Sequence, residues 1–360
     1  MWCPSTKTLE TSPLQGSSVN GSTVRPILQR FFYCILIPMH KTRVGVLRGG
    51  PSNEYEVSLK TGATVLNHLP ADKYSVRDIL IDKNGTWHIN GLPIKPHAAL
   101  NHFDVIFNAL HGHYGEDGKV QHTLETHGIP FTGSGSFASA IGMNKHLSKN
   151  VYKNEKMKTP QSLLLDSLQS ISVEAHKAFQ KFPLPVIVKP TSSGSSVGVK
   201  IVKGFPELEE AIKQAFEHSQ SVLVEEFIDG IEATVGVVDG YRDHDLYALP
   251  PIEIRPHGDR FFDFEAKYQG LSDEIVPGNF TEAQKKELEH LAKQAHKALG
   301  LRHYSRSDFM IHPKRGIFIL ETNTLPGLTE ESLIPKALYS VGASLEHFLD
   351  HIVQLAINDK

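Results

Sequence analysis

Short apolar runs alternate with amphipathic segments through the first third of the chain, and this alternation restricts the possible folds most strongly. The run RVGVL (43–47) is followed by a glycine turn and a segment with helical spacing, and then by the runs YSVRDILI and FDVIFNAL. Strands separated by segments of helix length build parallel sheets from βαβ units. The pattern therefore predicts an amino-terminal α/β domain over residues 39–137.

A later segment, VIVKPTSSGSSVGV (186–199), places Lys189 at the mouth of a loop in which no side chain is larger than valine. Two interpretations stay open from this segment alone. Apolar runs on both sides of a Gly/Ser/Thr cluster are typical of a β-hairpin. A loop without bulky side chains also lets backbone N–H groups approach a phosphate, and the lysine adds a positive charge.

The segment RSDFMIHPKRGIFILETNT (306–324) predicts a second hairpin that carries metal ligands. Asp308 lies on its first strand, and Glu321 and Asn323, two residues apart, share one face of its second strand. Oxygen-bearing side chains between apolar neighbours suit a hard cation such as Mg²⁺, because unpaired carboxylates beside a core are costly. A solvated sheet face with ordinary charges is the alternative.

Composition excludes several classes of protein. The 37 Lys and Arg residues nearly balance the 40 Asp and Glu residues, so nothing indicates a nucleic-acid partner. Two cysteines, Cys3 and Cys34, give no disulfide framework, and FFYCILIPM is too short to span a membrane. Residues 1–30 are polar and lack periodicity, and the leader 1–38 is predicted to be a disordered tail or a start-site artefact before Met39, with a targeting role as the alternative.

A phosphate loop and a magnesium site together point to a nucleoside triphosphate. The GxxxxGK[ST] motif of P-loop proteins and the HRD and DFG motifs of protein kinases are absent. A dinucleotide-binding oxidoreductase is disfavoured, because VGVLRGG lacks the GxGxxG pattern. We therefore predict a three-domain ATP-grasp fold, α/β with an α+β carboxyl-terminal part. ATP would lie between a central subdomain (138–228) and a carboxyl-terminal subdomain (229–360).

Eight segments, taken in chain order, narrow this prediction to one family. They are LRGGPSNEYEVSL, NALHGHYGEDGKVQ, PFTGSGSFASAIGMNK, PVIVKPTSSGSSVGV, VEEFIDGIEATVGV, FFDFEAKY, RSDFMI and LETNTLPGLTEESLIPK. Together they resemble the D-alanine:D-alanine ligase family of ATP-grasp carboxylate–amine ligases, over nearly all of residues 39–360. The resemblance implies that ATP phosphorylates the carboxylate of one D-alanine and that the amine of a second attacks the acyl phosphate. The product would be D-alanyl-D-alanine for peptidoglycan precursors.

The same resemblance implies roles for residues around the first substrate. Glu54 would hold the ammonium group of the first D-alanine, and His111 would lie beside that substrate. Ser195 and Tyr268 would hydrogen-bond with this glutamate, so that the small loop closes over the site and excludes water. The tyrosine of EAKY favours a dipeptide ligase, with D-lactate, D-serine or another amino acid as the alternative second substrate.

Roles in the second step and in nucleotide binding follow in the same way. Arg306 and the backbone N–H of Gly327 would stabilise the developing oxyanion, while Ser332 and Leu333 would hold the carboxylate of the second substrate. The resemblance also implies two Mg²⁺ or Mn²⁺ ions on the hairpin acids, a homodimer and a cytoplasmic location. The residues implied to bind ATP are Lys145, Lys189, Glu225, Glu226, Phe227, Ile228, Glu232 and Lys267. The chain has VEEF where relatives can carry a lysine after the first glutamate, so contacts with adenine are expected to differ in detail.

Overall fold

A five-stranded sheet forms the amino-terminal part of the protein in the computed structural model, which describes residues 41–166, 171–192, 194, 197–256 and 272–359. Its strands follow the order β4-β3-β2-β1-β5, and β1 runs parallel to both β2 and β5, which confirms the predicted βαβ pattern. The elements are β1 (Thr42–Gly49), α1 (Tyr55–His68), β2 (Tyr74–Ile81), β3 (Trp87–Ile89), β4 (Leu92–Ile94), α2 (Pro96–Leu100), β5 (Val105–Asn108) and α3 (Lys119–Thr126).

The lysine-rich segment SFASAIGMNKHLSKNVYKNE (136–155) is predicted from its sequence to form one helix, and this prediction is wrong. It forms two helices, α4 (Ser136–Met143) and α5 (Lys145–Asn154), which are separated at Asn144. The Asn144 side chain accepts hydrogen bonds from the backbone N–H groups of His146 and Leu147, both at 3.1 Å. Asparagine is a preferred N-cap, so the second helix begins with its own cap instead of continuing the first.

The central sheet is antiparallel, with the strand order β6-β9-β7-β8. Strands β7 and β8 pair with Val186 opposite Val202, so the loop of small residues does connect a β-hairpin. The elements are β6 (Ser162–Leu165), α6 (Ile171–Lys181), β7 (Val186–Pro190), β8 (Lys200–Val202), α7 (Phe205–Phe216) and β9 (Val222–Glu226).

The carboxyl-terminal sheet follows the order β13-β12-β10-β14-β15, with β11 on β10, and its strand pairs are antiparallel as expected. The segment DLYALPPIEI (245–254), which its sequence predicts to be one strand, forms two strands. Pro250 and Pro251 lack the N–H groups that a continuous ladder requires. The elements are β10 (Ile231–Asp239), β11 (Leu246–Ala248), β12 (Ile252–Pro256), β13 (Ser272–Ile275), α8 (Glu282–Ala298), β14 (Tyr304–His312), β15 (Gly316–Asn323), α9 (Leu333–Ser340) and α10 (Leu345–Asn358).

The last helix joins the two ends of the folded chain. One buried apolar cluster contains Val46 and Phe107 of the amino-terminal sheet together with Phe348 of α10. Asp350 on the same helix accepts a hydrogen bond from the Tyr74 hydroxyl at 2.7 Å. This packing holds the amino-terminal sheet against the carboxyl-terminal part, and so it fixes the cleft between them. Among the described residues, no helix has the length and apolar character that crossing a membrane requires.

His303 makes a second link between these parts and supplies a pH-dependent contribution to stability. Its side chain is 2 % exposed; Nδ1 accepts a hydrogen bond from the backbone N–H of Gly133 at 3.0 Å, and Nε2 lies 3.1 Å from Oδ2 of Asp359. Burial lowers the pKa of His303 to about 4, and the positive charge of Arg302 lowers it further while Asp359 opposes the shift. The imidazole is therefore neutral in the folded protein near pH 7.

We expect His303→Asn to flatten the loss of stability on acidification. Below pH 6.5 the unfolded chain protonates this histidine and the folded protein does not, so the free energy of unfolding falls until the pH reaches the folded pKa of about 4. For the wild type this amounts to about 2 kcal/mol between pH 7.5 and pH 5. Asparagine tolerates the positive φ of 68° at this position. Urea unfolding at both pH values measures the difference. The exposed His290→Asn variant is the control, and equal pH slopes for wild type and His303→Asn would contradict the assignment.

Candidate active site

A cleft with a volume of about 880 Å³ lies between the amino-terminal sheet, the β14–β15 hairpin and the start of α9. Its wall at the amino-terminal sheet comes from segments that follow β1 and β5, at the carboxyl ends of parallel strands, where α/β sheets bind ligands. Nine of the residues that the sequence analysis predicted to be functional line this cleft. They are Glu54, His111, Lys145, Arg306, Glu321, Asn323, Gly327, Ser332 and Leu333.

Two of these residues face the cleft from the amino-terminal sheet. Glu54 is the N-cap residue of α1 and is 9 % exposed. His111 follows β5, is 5 % exposed, and has its Nε2 atom 2.9 Å from the Thr61 hydroxyl. Burial lowers the pKa of His111 to about 4, although a hydrogen bond with the backbone of Leu325 opposes the shift. The cleft therefore presents a carboxyl group beside a neutral imidazole at pH 7.

Glu116 is a cleft residue that the sequence analysis did not identify. It is 9 % exposed, and its Oε2 atom accepts a hydrogen bond from the backbone N–H of Gly112 at 2.6 Å. Burial and the nearby charge of Glu54 raise the pKa of Glu116 to about 8. Most of this carboxyl group is therefore protonated near pH 7 and adds little negative charge beside Glu54. The available signal was an acid inside the glycine-rich turn GHYGEDG directly after a buried strand.

The loop of small residues reaches Glu54. A Cβ atom added at Gly194 would collide with the Glu54 carboxylate, and one added at Gly112 would lie 2.6 Å from its Oε2 atom. Two glycines thus allow two backbone segments to approach one carboxylate closely. This contact agrees with the expectation that the loop covers the residue matched to first-substrate binding.

Gly194→Ala is expected to lower kcat/KM for the first substrate by roughly 10-fold to 100-fold with little change in thermal stability. The added methyl group meets the end of a flexible side chain, so Glu54 moves away at small cost to folding but leaves its position in the site. Steady-state kinetics and thermal unfolding measure the two effects. Gly204→Ala is the matched control, because its Cβ atom would have open space apart from Pro206 at 3.7 Å. Equal activity of both variants would contradict a tight fit at Gly194.

The β14–β15 hairpin brings the predicted metal ligands together. Asp308 lies directly opposite Glu321, and Arg306 lies opposite Asn323, as the predicted strand geometry requires. A register shift after Asp308 leaves Leu320 without an opposing residue, which is a β-bulge. Bulges re-aim side chains next to functional sites, and here the irregularity falls where the two acids meet.

Asp308 is the most densely bonded of these groups. Its carboxylate accepts two hydrogen bonds from the Arg306 guanidinium at 3.0 Å each, one from the Asn323 amide at 3.2 Å and one from the Thr234 hydroxyl at 2.5 Å. Glu321 lies 3.3 Å from the Lys145 ammonium. Two carboxylates and an amide fit Mg²⁺ because that ion takes few protein ligands and completes its shell with water and phosphate oxygens. Within the described residues, no group of three or more His, Cys, Asp and Glu side chains forms a denser metal site.

Of the described residues matched to the nucleotide, Lys145 lines this cleft, and the others lie on the central sheet, just after β9 and on β10. Lys189 at the end of β7 pairs with the buried Glu225 of β9, with Nζ 2.8 Å from Oε2. The carboxylate of Glu226 accepts two hydrogen bonds from the Arg315 guanidinium, at 2.8 and 3.1 Å. Glu226, the position at which the sequence was expected to depart from the family pattern, is thus held in an ion pair with Arg315. Phe227 and Ile228 follow β9 directly, and Glu232 lies on β10.

The residues matched to the second substrate lie at the start of a helix. Ser332 is the N-cap of α9 and Leu333 is its first residue, so backbone N–H groups and the helix dipole favour an anion there. The Ser332 hydroxyl accepts a hydrogen bond from the backbone N–H of Thr329 at 3.1 Å. A Cβ atom at Gly327 would lie 2.9 Å from the Ser332 oxygen, so glycine permits this close turn. Ser195, Lys267, Tyr268 and residues 1–38 lie outside the described residues.

Comparisons with known proteins agree with this geometry. Two family models match the chain, "D-ala D-ala ligase N-terminus" over residues 43–97 and 90–134 and "D-ala D-ala ligase C-terminus" over residues 160–354. The D-alanine–D-alanine ligase of Geotalea uraniireducens (strain Rf4) is 39 % identical over 316 residues, which cover 87 % of this chain and 95 % of the relative. That of Syntrophobacter fumaroxidans is 39 % identical over 321 residues, covering 89 % and 99 %.

Solved structures are similar over the same range. The D-alanine–D-alanine ligase from Bacillus anthracis complexed with ATP is 32 % identical with a TM-score of 0.73, covering 88 % of this chain and 98 % of that one. The VanG D-Ala:D-Ser ligase from Enterococcus faecalis is 29 % identical with a TM-score of 0.77, covering 88 % and 100 %. The fold is therefore that of the ATP-grasp ligases. The chain belongs to the D-alanine–D-alanine ligase family.

Proposed function

We propose that this protein is an ATP-dependent, ADP-forming D-alanine:D-alanine ligase that supplies D-alanyl-D-alanine for peptidoglycan precursors. The observation that carries the proposal is the content of the cleft. It combines Glu54 and His111 from one wall, the Arg306 hairpin from another, and the amino-terminal end of α9. These are the groups that an amino acid, a phosphoryl group and a second carboxylate require. Family membership supports the same conclusion.

In the first step, a carboxylate oxygen of one D-alanine attacks the γ-phosphorus of ATP, and ADP leaves. Glu54 would attract the ammonium group of this D-alanine and orient its carboxylate toward the nucleotide. Lys145, Lys189 and Lys267 would bind phosphate oxygens, because a transition state with spread negative charge is stabilised mainly by positioned cations. Asp308, Glu321 and Asn323 would hold two Mg²⁺ or Mn²⁺ ions, which supply further charge neutralisation between the phosphates.

In the second step, the amine of the second D-alanine attacks the carbonyl carbon of D-alanyl phosphate. The bond to phosphate then breaks, and the nitrogen loses a proton. The Ser332 hydroxyl and the Leu333 N–H would hold the carboxylate of this second substrate at the helix start. Arg306 and the Gly327 N–H would stabilise the oxyanion of the tetrahedral intermediate. Closure by Ser195 and Tyr268 would keep water from hydrolysing the acyl phosphate.

The nucleotide base would lie along β9. The segment from Glu225 to Ile228 would contact adenine, largely through main-chain groups, and Glu232 on the neighbouring sheet would contact the ribose. We also propose that the protein is a cytoplasmic homodimer, and that its subdomains begin near residues 138 and 229.

One specific observation favours a second candidate function. The similar VanG structure is a D-Ala:D-Ser ligase, so D-serine is a candidate second substrate. The test is phosphate release from ATP and Mg²⁺ with D-alanine alone, D-alanine plus D-serine, D-alanine plus D-lactate, and L-alanine, with products identified by mass. Release with D-alanine alone and a D-alanyl-D-alanine mass supports the first proposal. If phosphate release requires D-serine or D-lactate, that compound is the second substrate. If no phosphate is released with any of these substrates, both candidate functions are contradicted.

A further inference from the structure

Lys149 is a buried charged residue that none of the assigned roles uses. It lies on α5 one turn after Lys145, and its side chain is 1 % exposed. The ammonium group donates hydrogen bonds to the Thr159 hydroxyl at 2.8 Å and to the Pro160 carbonyl at 3.2 Å. It also lies 3.1 Å from Oε1 of Glu225. A lysine is almost never buried to this extent unless it is paired.

Glu225 is shared between two lysines. Its Oε2 atom lies 2.8 Å from Nζ of Lys189, while its Oε1 atom faces Lys149. Burial opposes ionisation of Glu225, but the two ammonium groups outweigh burial and keep its pKa below the usual range. The cluster therefore contains two positive charges and one negative charge, with a net charge of +1. Lys189 is its member at the end of β7, where the loop of small residues begins.

We infer that Lys149 is a positioning residue for the nucleotide phosphates: by sharing Glu225 it leaves the positive charge of Lys189 available to them. This inference rests on the proposed function, since it assumes that Lys189 meets the phosphates of ATP. The physical reason is charge balance. A carboxylate with one ammonium partner forms a neutral pair, whereas a carboxylate with two partners leaves an attractive excess.

The geometry allows Lys149 to act only through other groups. Its side chain is 1 % exposed and its ammonium group is enclosed by Glu225, Thr159 and Pro160, so it would act on a bound nucleotide through Glu225 and Lys189. Its two other partners, Thr159 and Pro160, lie in the segment that connects α5 to β6, so their hydrogen bonds tie this segment to the helix. Lys149→Met keeps the length of the side chain and removes its charge, which makes this substitution the informative one.

The test measures dissociation constants of ADP and of adenosine in the presence of Mg²⁺ by calorimetry. Lys149→Met is expected to weaken ADP binding by about 10-fold and to leave adenosine binding unchanged, because only ADP carries the phosphates. The double variant Lys149→Met with Glu225→Gln is expected to return the ratio of ADP affinity to adenosine affinity to within about 3-fold of its wild-type value, since it restores a net charge of +1 on Lys189. The ratio is used because Glu225 belongs to the segment proposed to contact adenine, and any change in that contact affects both ligands. Lys153→Met, an exposed lysine one turn further along α5, is the control.

The outcomes separate the inference from the proposed function. If the wild type binds no ADP, the proposed nucleotide site fails and the inference fails with it. If the wild type binds ADP and Lys149→Met binds it equally well, only the inference fails. Equal weakening of ADP and adenosine, without recovery in the double variant, would show that Lys149 merely supports the fold, and this also overturns the inference.

A pH profile supplies a second readout. Burial lowers the pKa of Lys149 to about 8, although Glu225 raises it, and Lys189 and Lys153 add to the lowering. These are the charged groups that face it from β9, from β7 and from its own helix. ADP affinity of the wild type should therefore fall as the pH rises above 8, whereas the double variant should lack this dependence. A wild-type profile that is flat from pH 7 to pH 9 would contradict the inference.

Discussion

Replacing Arg306 with alanine is expected to lower kcat/KM for D-alanine ligation by about 100-fold to 1,000-fold. The guanidinium lines the cleft beside the hairpin acids, where it would meet the oxyanion of the second step. It also donates two hydrogen bonds, at 3.0 Å each, to the carboxylate of Asp308, which the Asn323 amide and the Thr234 hydroxyl bond as well. Alanine removes both effects and leaves Asp308, which is 6 % exposed, without its guanidinium partner.

The measurement is steady-state release of phosphate with varied D-alanine, together with thermal unfolding. Arg43→Ala is the matched control, because it removes an Arg–Asp pair of the same kind on the surface, with Nη2 of Arg43 2.6 Å from Oδ1 of Asp104. That exposed pair is expected to affect neither kcat nor KM. An Arg306→Ala enzyme that stays within about 3-fold of wild type would rule out the oxyanion role, given the magnitude of a lost donor.

Glu321→Gln is the second substitution with a large expected effect. It keeps the shape of the side chain but removes one of the two carboxylates on the candidate metal site. We expect the Mg²⁺ concentration for half-maximal activity to rise by at least about 10-fold, with a lower kcat at saturation. The substitution also weakens the pair with Lys145, whose ammonium lies 3.3 Å from Oε2 of Glu321.

A titration with Mg²⁺ at saturating ATP, and one with ATP at saturating Mg²⁺, separate these two contributions. A loss that acts only through Lys145 would raise the KM for ATP and leave the Mg²⁺ dependence unchanged, and this result would exclude Glu321 as a metal ligand. The exposed Glu287→Gln variant on α8 is the control for the loss of one negative charge. It is expected to match the wild type in both titrations.

Local sequence patterns identified much of this site before any coordinates. The alternation of apolar runs with amphipathic segments predicted the parallel strands β1, β2 and β5, because each strand carries apolar residues that are buried in the fold. The spacing of Glu321 and Asn323 placed them correctly on one face, because side chains on a strand repeat every two residues. Both predictions depend only on neighbours along the chain.

Other features depend on contacts that no local pattern encodes. The break between α4 and α5 could not be predicted without knowing that the Asn144 side chain caps the second helix instead of facing solvent. Glu116 looks like an ordinary loop acid until packing places it beside Glu54 and raises its pKa. Lys149 looks like a solvated helix lysine until β9 brings Glu225 to 3.1 Å from it.

The sequence by itself therefore determined the strands, the order of the motifs and the types of side chain that the chemistry needs. These properties follow from backbone periodicity and from residue identity, which are both local. Only the tertiary structure decided which charges are buried together and which carboxyl groups keep their protons. It also decided at which glycines another side chain occupies the space that a Cβ atom would need. Those properties depend on desolvation and on distances between segments far apart in the chain, and they arise only when the sheets pack around the cleft.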